Sequence, residues 1–312
     1  KGVQHSAAGR IARLQMSTMT LYESGDSCGL VSLLDLVDSS PKMVLTGDVT
    51  LKRLAEFIVR GGWPSQFRLK DRNHASLMAG EYLNALITDY LNRLDYNQRD
   101  IEKMKRLLRS LARNESTTAS IKLLKKDMES ADGRGMDEDT IADSIDALNR
   151  MFVLTDQPPF SSNVRSSVRI KQSSKHHFAD PSIAASLLGV TASSLIEDLK
   201  TFGFLFEALC ENDLTLYAES FGGKLYHYTD YKNREIDAVV EYPDGRWGAF
   251  EIKLGANQID AAAEGLIKLK KEFEADDKAR TPSYLCVLCG MSNAVYPRPD
   301  GVIVLPIPAL QV

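Results

Sequence analysis

The 312-residue sequence predicts a mixed α/β fold, with a helical, winged-helix-like first half followed by a domain in the order αβββαββ. Three observations predict it. Apolar residues recur at helical spacing through residues 50–157. From residue 224 the pattern changes to short strand-like runs joined by a Pro-Asp-Gly turn. An Ala-, Leu- and Lys-rich helix then separates those runs from two further apolar ones near the C-terminus.

In the first 45 residues, turn-rich pieces (SAAGR, YESGDSCG) alternate with short apolar runs. Leu51, Leu54, Phe57 and Ile58 predict a helix, which Gly61-Gly62-Trp63-Pro64 ends. Tyr82, Leu83, Leu86, Ile87, Tyr90 and Leu91 form a second apolar stripe, and Ile101, Met104, Leu107, Leu108 and Leu111 a third. A short helix over 120–128 precedes a Gly/Asp turn. The next helix carries Ile141, Ile145, Leu148 and Met151 and runs into a strand-like ending, RMFVLTDQPPF. Three helices, a strand and a basic hairpin-like stretch predict a winged-helix module. A plain helical linker domain is the alternative.

In the second half, Ser193 or Ser194 is placed to cap a long helix reaching about residue 217. Strands are expected at 224–229, 235–242 and 246–253, the last two joined by the turn Pro243-Asp244-Gly245. A helix over about 258–274 and strands at 283–289 and 302–307 complete the order. The expected units are 1–45, 46–180 and 181–312.

Composition bounds the function. Hydrophobic residues make up 44% and charged residues 26%, as in ordinary globular proteins. The net charge of −4 gives no overall attraction to nucleic acid, so such binding would need local patches. No apolar run approaches the ~20 residues that span a bilayer, and the N-terminal stretch lacks the apolar region of a signal peptide. The chain does not begin with Met, which suits a fragment. Four cysteines, Cys28, Cys210, Cys286 and Cys289, are too sparse for a disulfide scaffold and point to the cytoplasm.

The stretch EIDAVVEYPDGRWGAFEIK carries the chemistry. Acid-x-Lys triplets occur four times in the chain, so spacing alone selects none. Only Glu251-Ile252-Lys253 ends an apolar strand after a hairpin whose first strand carries another acid, Asp237. Residues two apart on a strand share a face, so Glu251 and Lys253 project together and Asp237 can lie beside them. Two carboxylates can hold Mg²⁺ or Mn²⁺ through oxygen, and the metal can activate a water. Lys253 would orient that water or stabilise developing negative charge. Glu207 joins the set from the preceding helix, where Phe204, Leu205, Ala208 and Leu209 read as core-facing. Gln258 opens the next helix and would contact phosphate or a metal-bound water. The plain alternative is a surface ion pair worth little.

Other features are weighed the same way. Arg165, Arg169, Lys171 and Lys175 lie in an acid-free stretch suited to gripping DNA phosphates, or to a solvated hairpin. Cys286 and Cys289 have redox or zinc spacing but sit in an apolar strand, which favours buried core cysteines. His176 and His177 read as solvated, and His227 as a satisfied strand histidine. Trp63 and Trp247 read as packing residues.

At these residues the chain resembles a prokaryotic family of AAA-type ATPases with a C-terminal domain of unknown function, assigned to the PD-(D/E)XK nuclease-like fold. The matching text includes SAAGRIARLQ, FIVRGGWP, KHHFADPSIAASLLG, TFGFLFEALCENDL and the EIDAVVEYPDGRWGAFEIK stretch. The resemblance implies a restriction-endonuclease-like αβββαβ domain with Glu207, Asp237, Glu251 and Lys253 in its site. It implies an ATPase domain of which only the tail, 1–45, falls in this chain. No G-x-x-x-x-G-K-[ST] occurs, so ATP binding and hydrolysis are expected only of the intact protein, with Arg10 or Arg13 as nucleotide-sensing residues. The resulting expectation is a Mg²⁺- or Mn²⁺-dependent DNA nuclease domain. The alternatives are a non-cleaving DNA- or protein-binding module that regulates the ATPase, and a defence or toxin–antitoxin component acting on another protein.

Overall fold

The computed structural model describes residues 16–68, 75–93, 98–129, 135–163, 172–232 and 234–312. Its first elements are strand β1 (Val31–Ser32), strand β2 (Val44–Leu45) and helix α1 (Leu51–Arg60). Thr50 caps α1 by accepting the Arg53 amide at 3.2 Å, and Leu54, Phe57 and Ile58 bury its apolar face. Gly61, with φ of 70°, turns the chain out of the helix.

Helices α2 (Ala75–Arg93), α3 (Gln98–Arg113), α4 (Ile121–Met128) and α5 (Glu138–Arg150) follow. Leu83 and Ile87 are buried as the α2 stripe requires, while Tyr82 is half-exposed with its ring centroid 4.8 Å from that of Trp63. Strands β3 (Leu154–Gln157) and β4 (Lys175–Phe178) form an antiparallel hairpin, with Gln157 opposite Lys175 and Thr155 opposite His177. Helix α6 (Pro181–Leu188) starts at Asp180, whose carboxylate accepts the amides of Ser182 and of the distant Gly62, both at 2.9 Å.

The long helix expected from residue 193 is two helices. They are α7 (Ala192–Glu197) and α8 (Leu199–Ser220), and they break at Asp198, which caps α8 through the Thr201 amide. Local side-chain capping explains the break. Phe204 is also a correction: it is 37% exposed, and Phe202 and Phe206 fill the core instead.

Strands β5 (Lys224–Thr229), β6 (Glu235–Glu241) and β7 (Trp247–Lys253) make an antiparallel meander. Gly245, at φ of 85°, closes the β6–β7 turn. Helix α9 (Ile259–Ala275) carries the chain from β7 to β8 (Tyr284–Cys289), which pairs with β7 in parallel. Strands β9 (Ala294–Pro297), β10 (Ile303–Leu305) and β11 (Leu310–Gln311) end the chain. The main sheet has seven strands in the order β2-β9-β10-β8-β7-β6-β5. Residues near the start thus reach its edge through β2, and β1 pairs with β11.

The sheet is packed on both faces. Alternate residues of β8 (Tyr284, Cys286, Leu288) join a large core shared with α1–α8, and the others (Leu285, Val287, Cys289) join a smaller core with α9 and Trp247. Cys286 and Cys289 are free, buried core residues. The protein is therefore mixed α/β with a seven-stranded sheet, and no described helix is long and apolar enough to cross a membrane.

Candidate functional site

The site lies where the β5–β6–β7 meander loses its regular ladder. Between Tyr226 and Tyr228 the β5–β6 register shifts, so two residues of β6, Asp237 and Ala238, stand opposite His227 alone. The displaced Asp237 carbonyl is met from outside the ladder, by Gln157 Nε2 at 3.3 Å and Lys175 Nζ at 3.4 Å. On the other side, the last β6–β7 pair is Ala238 with Phe250, so Asp237 comes to face Glu251.

Asp237 Oδ2 accepts the Ile252 amide at 2.7 Å and the Lys253 Nζ at 2.9 Å, and Lys253 Nζ lies 2.7 Å from Glu251 Oε2. Three residues named from the sequence are therefore brought together. Burial, and then the negative charge of Asp237, push the Glu251 carboxyl up to about 7 against the pull of Lys253. Burial disfavours the Lys253 ammonium, but Asp237 and Glu251 outweigh it and raise its pKa.

Glu207, on α8, is raised well above the usual carboxylate range by burial and by Asp237. Its partner is Lys175, with Nζ 2.9 Å from Glu207 Oε1 and 3.1 Å from Glu211 Oε1. The sequence reading set Lys175 among phosphate-gripping bases. The structure buries it at 7% exposure, because β4 points it inward between two acids one helical turn apart. Burial opposes its charge, and Glu211, Glu207 and Asp237 overcome that and raise its pKa.

The network continues into the helical half. Glu211 Oε2 accepts the Ser116 hydroxyl at 3.0 Å and lies 3.6 Å from His177 Nε2. His177 Nδ1 is 3.1 Å from Glu115 and Nε2 is 3.0 Å from Gln157 Oε1, so this histidine is interior, not solvated. Glu211, Glu115 and Gln157 escaped the sequence reading. Only Glu211 carried a signal, its i,i+4 spacing from Glu207. His227 is 1% exposed and donates from Nε2 to the Ser173 carbonyl at 3.1 Å, but its buried Nδ1 has no partner among the described residues, so this histidine is only half satisfied. Burial, then the charge of Lys175, push its pKa down to about 4.

Gln258 turns back to accept the Gly255 amide at 3.1 Å, before α9 begins. Arg10, Arg13, Arg165, Arg169 and Lys171 lie outside the described residues.

The donor chemistry is of the kind a hard divalent cation takes: two facing carboxylates, Asp237 and Glu251, the latter pushed up to about 7 by burial and then by Asp237. Lysines hold these carboxylates, however, and among the described residues no group of three His, Cys, Asp or Glu side chains is arranged to hold a metal ion.

A mixed α/β protein with a carboxylate–lysine cluster at a strand bulge is the class that fold and site define. Residues 51–194 match the family described as a domain of unknown function (DUF8612), and residues 202–310 match a second domain of unknown function (DUF4143). The latter is found C-terminal to AAA-type ATPase domains in prokaryotic proteins. No curated protein matches the chain, and no solved structure does.

Proposed function

We propose that this chain is the C-terminal portion of an ATPase-associated protein and carries a metal-dependent, nuclease-like site for phosphodiester hydrolysis in DNA. One observation carries the reading: the β6 bulge sets Asp237 opposite Glu251 with the Lys253 ammonium within 3 Å of both (2.9 and 2.7 Å). Asp237 and Glu251, with Glu207, would hold Mg²⁺ or Mn²⁺. When bound, the metal would supply charge neutralisation at the phosphate and an activated water. Lys253 stands where it orients that water or meets negative charge developing on the phosphate.

The order of α3, α4, α5 and the β3–β4 hairpin supports a winged-helix reading of the first half, which would present the Arg165, Arg169 and Lys171 stretch to DNA. In the intact protein, Arg10 or Arg13 would sense nucleotide. The match to DUF4143 supports the ATPase context.

The test is incubation of the purified chain with Mn²⁺ or Mg²⁺ and linear, circular and branched DNA. Cleavage is expected, and Lys253→Ala should abolish it while leaving DNA affinity nearly intact. DNA left uncut in every case overturns the reading. The closed ion pairs of Lys175 and Lys253 favour one second reading, a non-cleaving DNA- or protein-binding module that regulates the ATPase. Salt-dependent DNA binding, or recovery of one dominant protein partner, without cleavage would select it.

A further inference from the structure

Lys175 belongs to the 51–194 match, yet its ammonium is buried among acids of the 202–310 match. It contacts Glu207 Oε1, Glu211 Oε1 and the Asp237 carbonyl, at 2.9, 3.1 and 3.4 Å. These are three oxygen donors of the kind a divalent cation takes. A lysine so placed fills the position of a cation with part of the protein's own charge.

The placement is built rather than incidental. Gln157, paired opposite Lys175 in the hairpin, donates to the Asp237 carbonyl and, at 3.0 Å, to the Tyr226 carbonyl. The segment after β3 then joins β5: the His227 amide donates to the Pro158 carbonyl at 3.0 Å, and the Phe160 amide to the His227 carbonyl at 2.6 Å. The hairpin is thereby stitched to the sheet at the bulge that forms the site. A cavity of about 400 Å³ between the hairpin and α8 is lined by Gln157, His177, Asn212 and one of the acids that hold Lys175, Glu211.

We infer that Lys175 is a resident cation of the candidate site, supplied by the hairpin, and that it competes with a divalent cation for Glu207. The inference rests on the metal-site reading above. In the closed arrangement Glu207 and Glu211 are committed to Lys175. Withdrawal of the hairpin frees Glu207 to join Asp237 and Glu251, and this couples metal loading to the position of the helical half. The lysine acts by holding Glu207 and is not itself a catalytic residue.

The experiment measures Mn²⁺ binding to the full chain by electron paramagnetic resonance, for wild type, Lys175→Met and Lys175→Arg. Removing a buried charge beside the ligands should tighten Mn²⁺ binding on the order of tenfold or more in Lys175→Met, and Lys175→Arg should bind as wild type does. In wild type, which needs no variant to fold, saturation with Mn²⁺ should speed amide hydrogen exchange in residues 175–178. Binding in Lys175→Met equal to or weaker than wild type, or β4 exchange that is unchanged or slowed, overturns the inference and leaves the nuclease reading standing. Wild type and Lys175→Met that both fail to bind Mn²⁺ overturn the two together.

Discussion

Asp237 accepts the backbone amide of Ile252 at 2.7 Å, so one carboxylate of the candidate site also terminates the β6–β7 ladder. This double use separates two substitutions. Asp237→Asn keeps an acceptor for that amide, and its loss of charge weakens the Lys253 pair but relieves repulsion of Glu251, so it should cost less stability than Asp237→Ala. Asp237→Ala leaves the amide without its partner, at a cost of roughly 1–3 kcal/mol. On the proposed nuclease reading, both should lose cleavage. Urea-unfolding midpoints beside a cleavage assay check the split, and equal stabilities for the two variants would contradict it.

Asp213 gives a pH signature. Burial pushes its carboxyl from an ordinary value of 3.8 up to about 7, although it accepts the Leu21 amide at 3.0 Å. The native state therefore holds a proton that the unfolded chain has released. Its contribution to stability is present below about pH 4 and is lost as pH rises to about 7. Asp213→Asn keeps an acceptor for Leu21 and should flatten this fall, leaving the variant at least as stable as wild type at pH 8. Unfolding midpoints between pH 4 and pH 8 test it.

His227 contributes with the opposite sign. Its pKa falls from 6.5 to about 4, so the unfolded chain protonates first on acidification. Stability from the neutral ring is present above about pH 6.5 and is lost as pH falls toward 4. His227→Gln should remove that acid-side slope in the same titration series. An unchanged slope would mean that the ring is not held neutral.

Gly248 faces Tyr284 across the β7–β8 pair, and a Cβ there would come within 2.0 Å of the tyrosine ring. The ring is held on two sides, with its hydroxyl 3.0 Å from that of Tyr242 and its centroid 5.6 Å from that of Phe250 in a T-shaped contact. Gly248→Ala should therefore destabilise the sheet by about 1–3 kcal/mol, the usual cost of overpacking. Thermal unfolding reads this directly, and a neutral result would show that Tyr284 moves.

The second half of the fold was the more legible in sequence. Alternating apolar runs and the Pro243-Asp244-Gly245 turn place β5, β6 and β7 within a residue of their observed ends, because strand alternation and turn chemistry are local. The two-residue strands β1 and β2 left no such pattern, since they exist through long-range pairing alone, and β9 is too short to show one although it pairs with the neighbouring β10 as well as with β2. The break at Asp198 was missed because capping there outweighs the continuous helical periodicity.

For the site, the sequence by itself determined that Asp237, Glu251 and Lys253 fall on adjacent strands with Glu251 and Lys253 on one face. Strand geometry makes that a short-range consequence of spacing. Only the tertiary structure decided what surrounds them. A register shift in β6, unmarked in the residues, turns the Asp237 carbonyl toward the hairpin. Packing of that hairpin on α8 then brings Lys175 within reach of Glu207 and Glu211, more than 30 residues further along the chain. Contacts between residues so far apart depend on how whole elements pack, and no local pattern in the sequence encodes them.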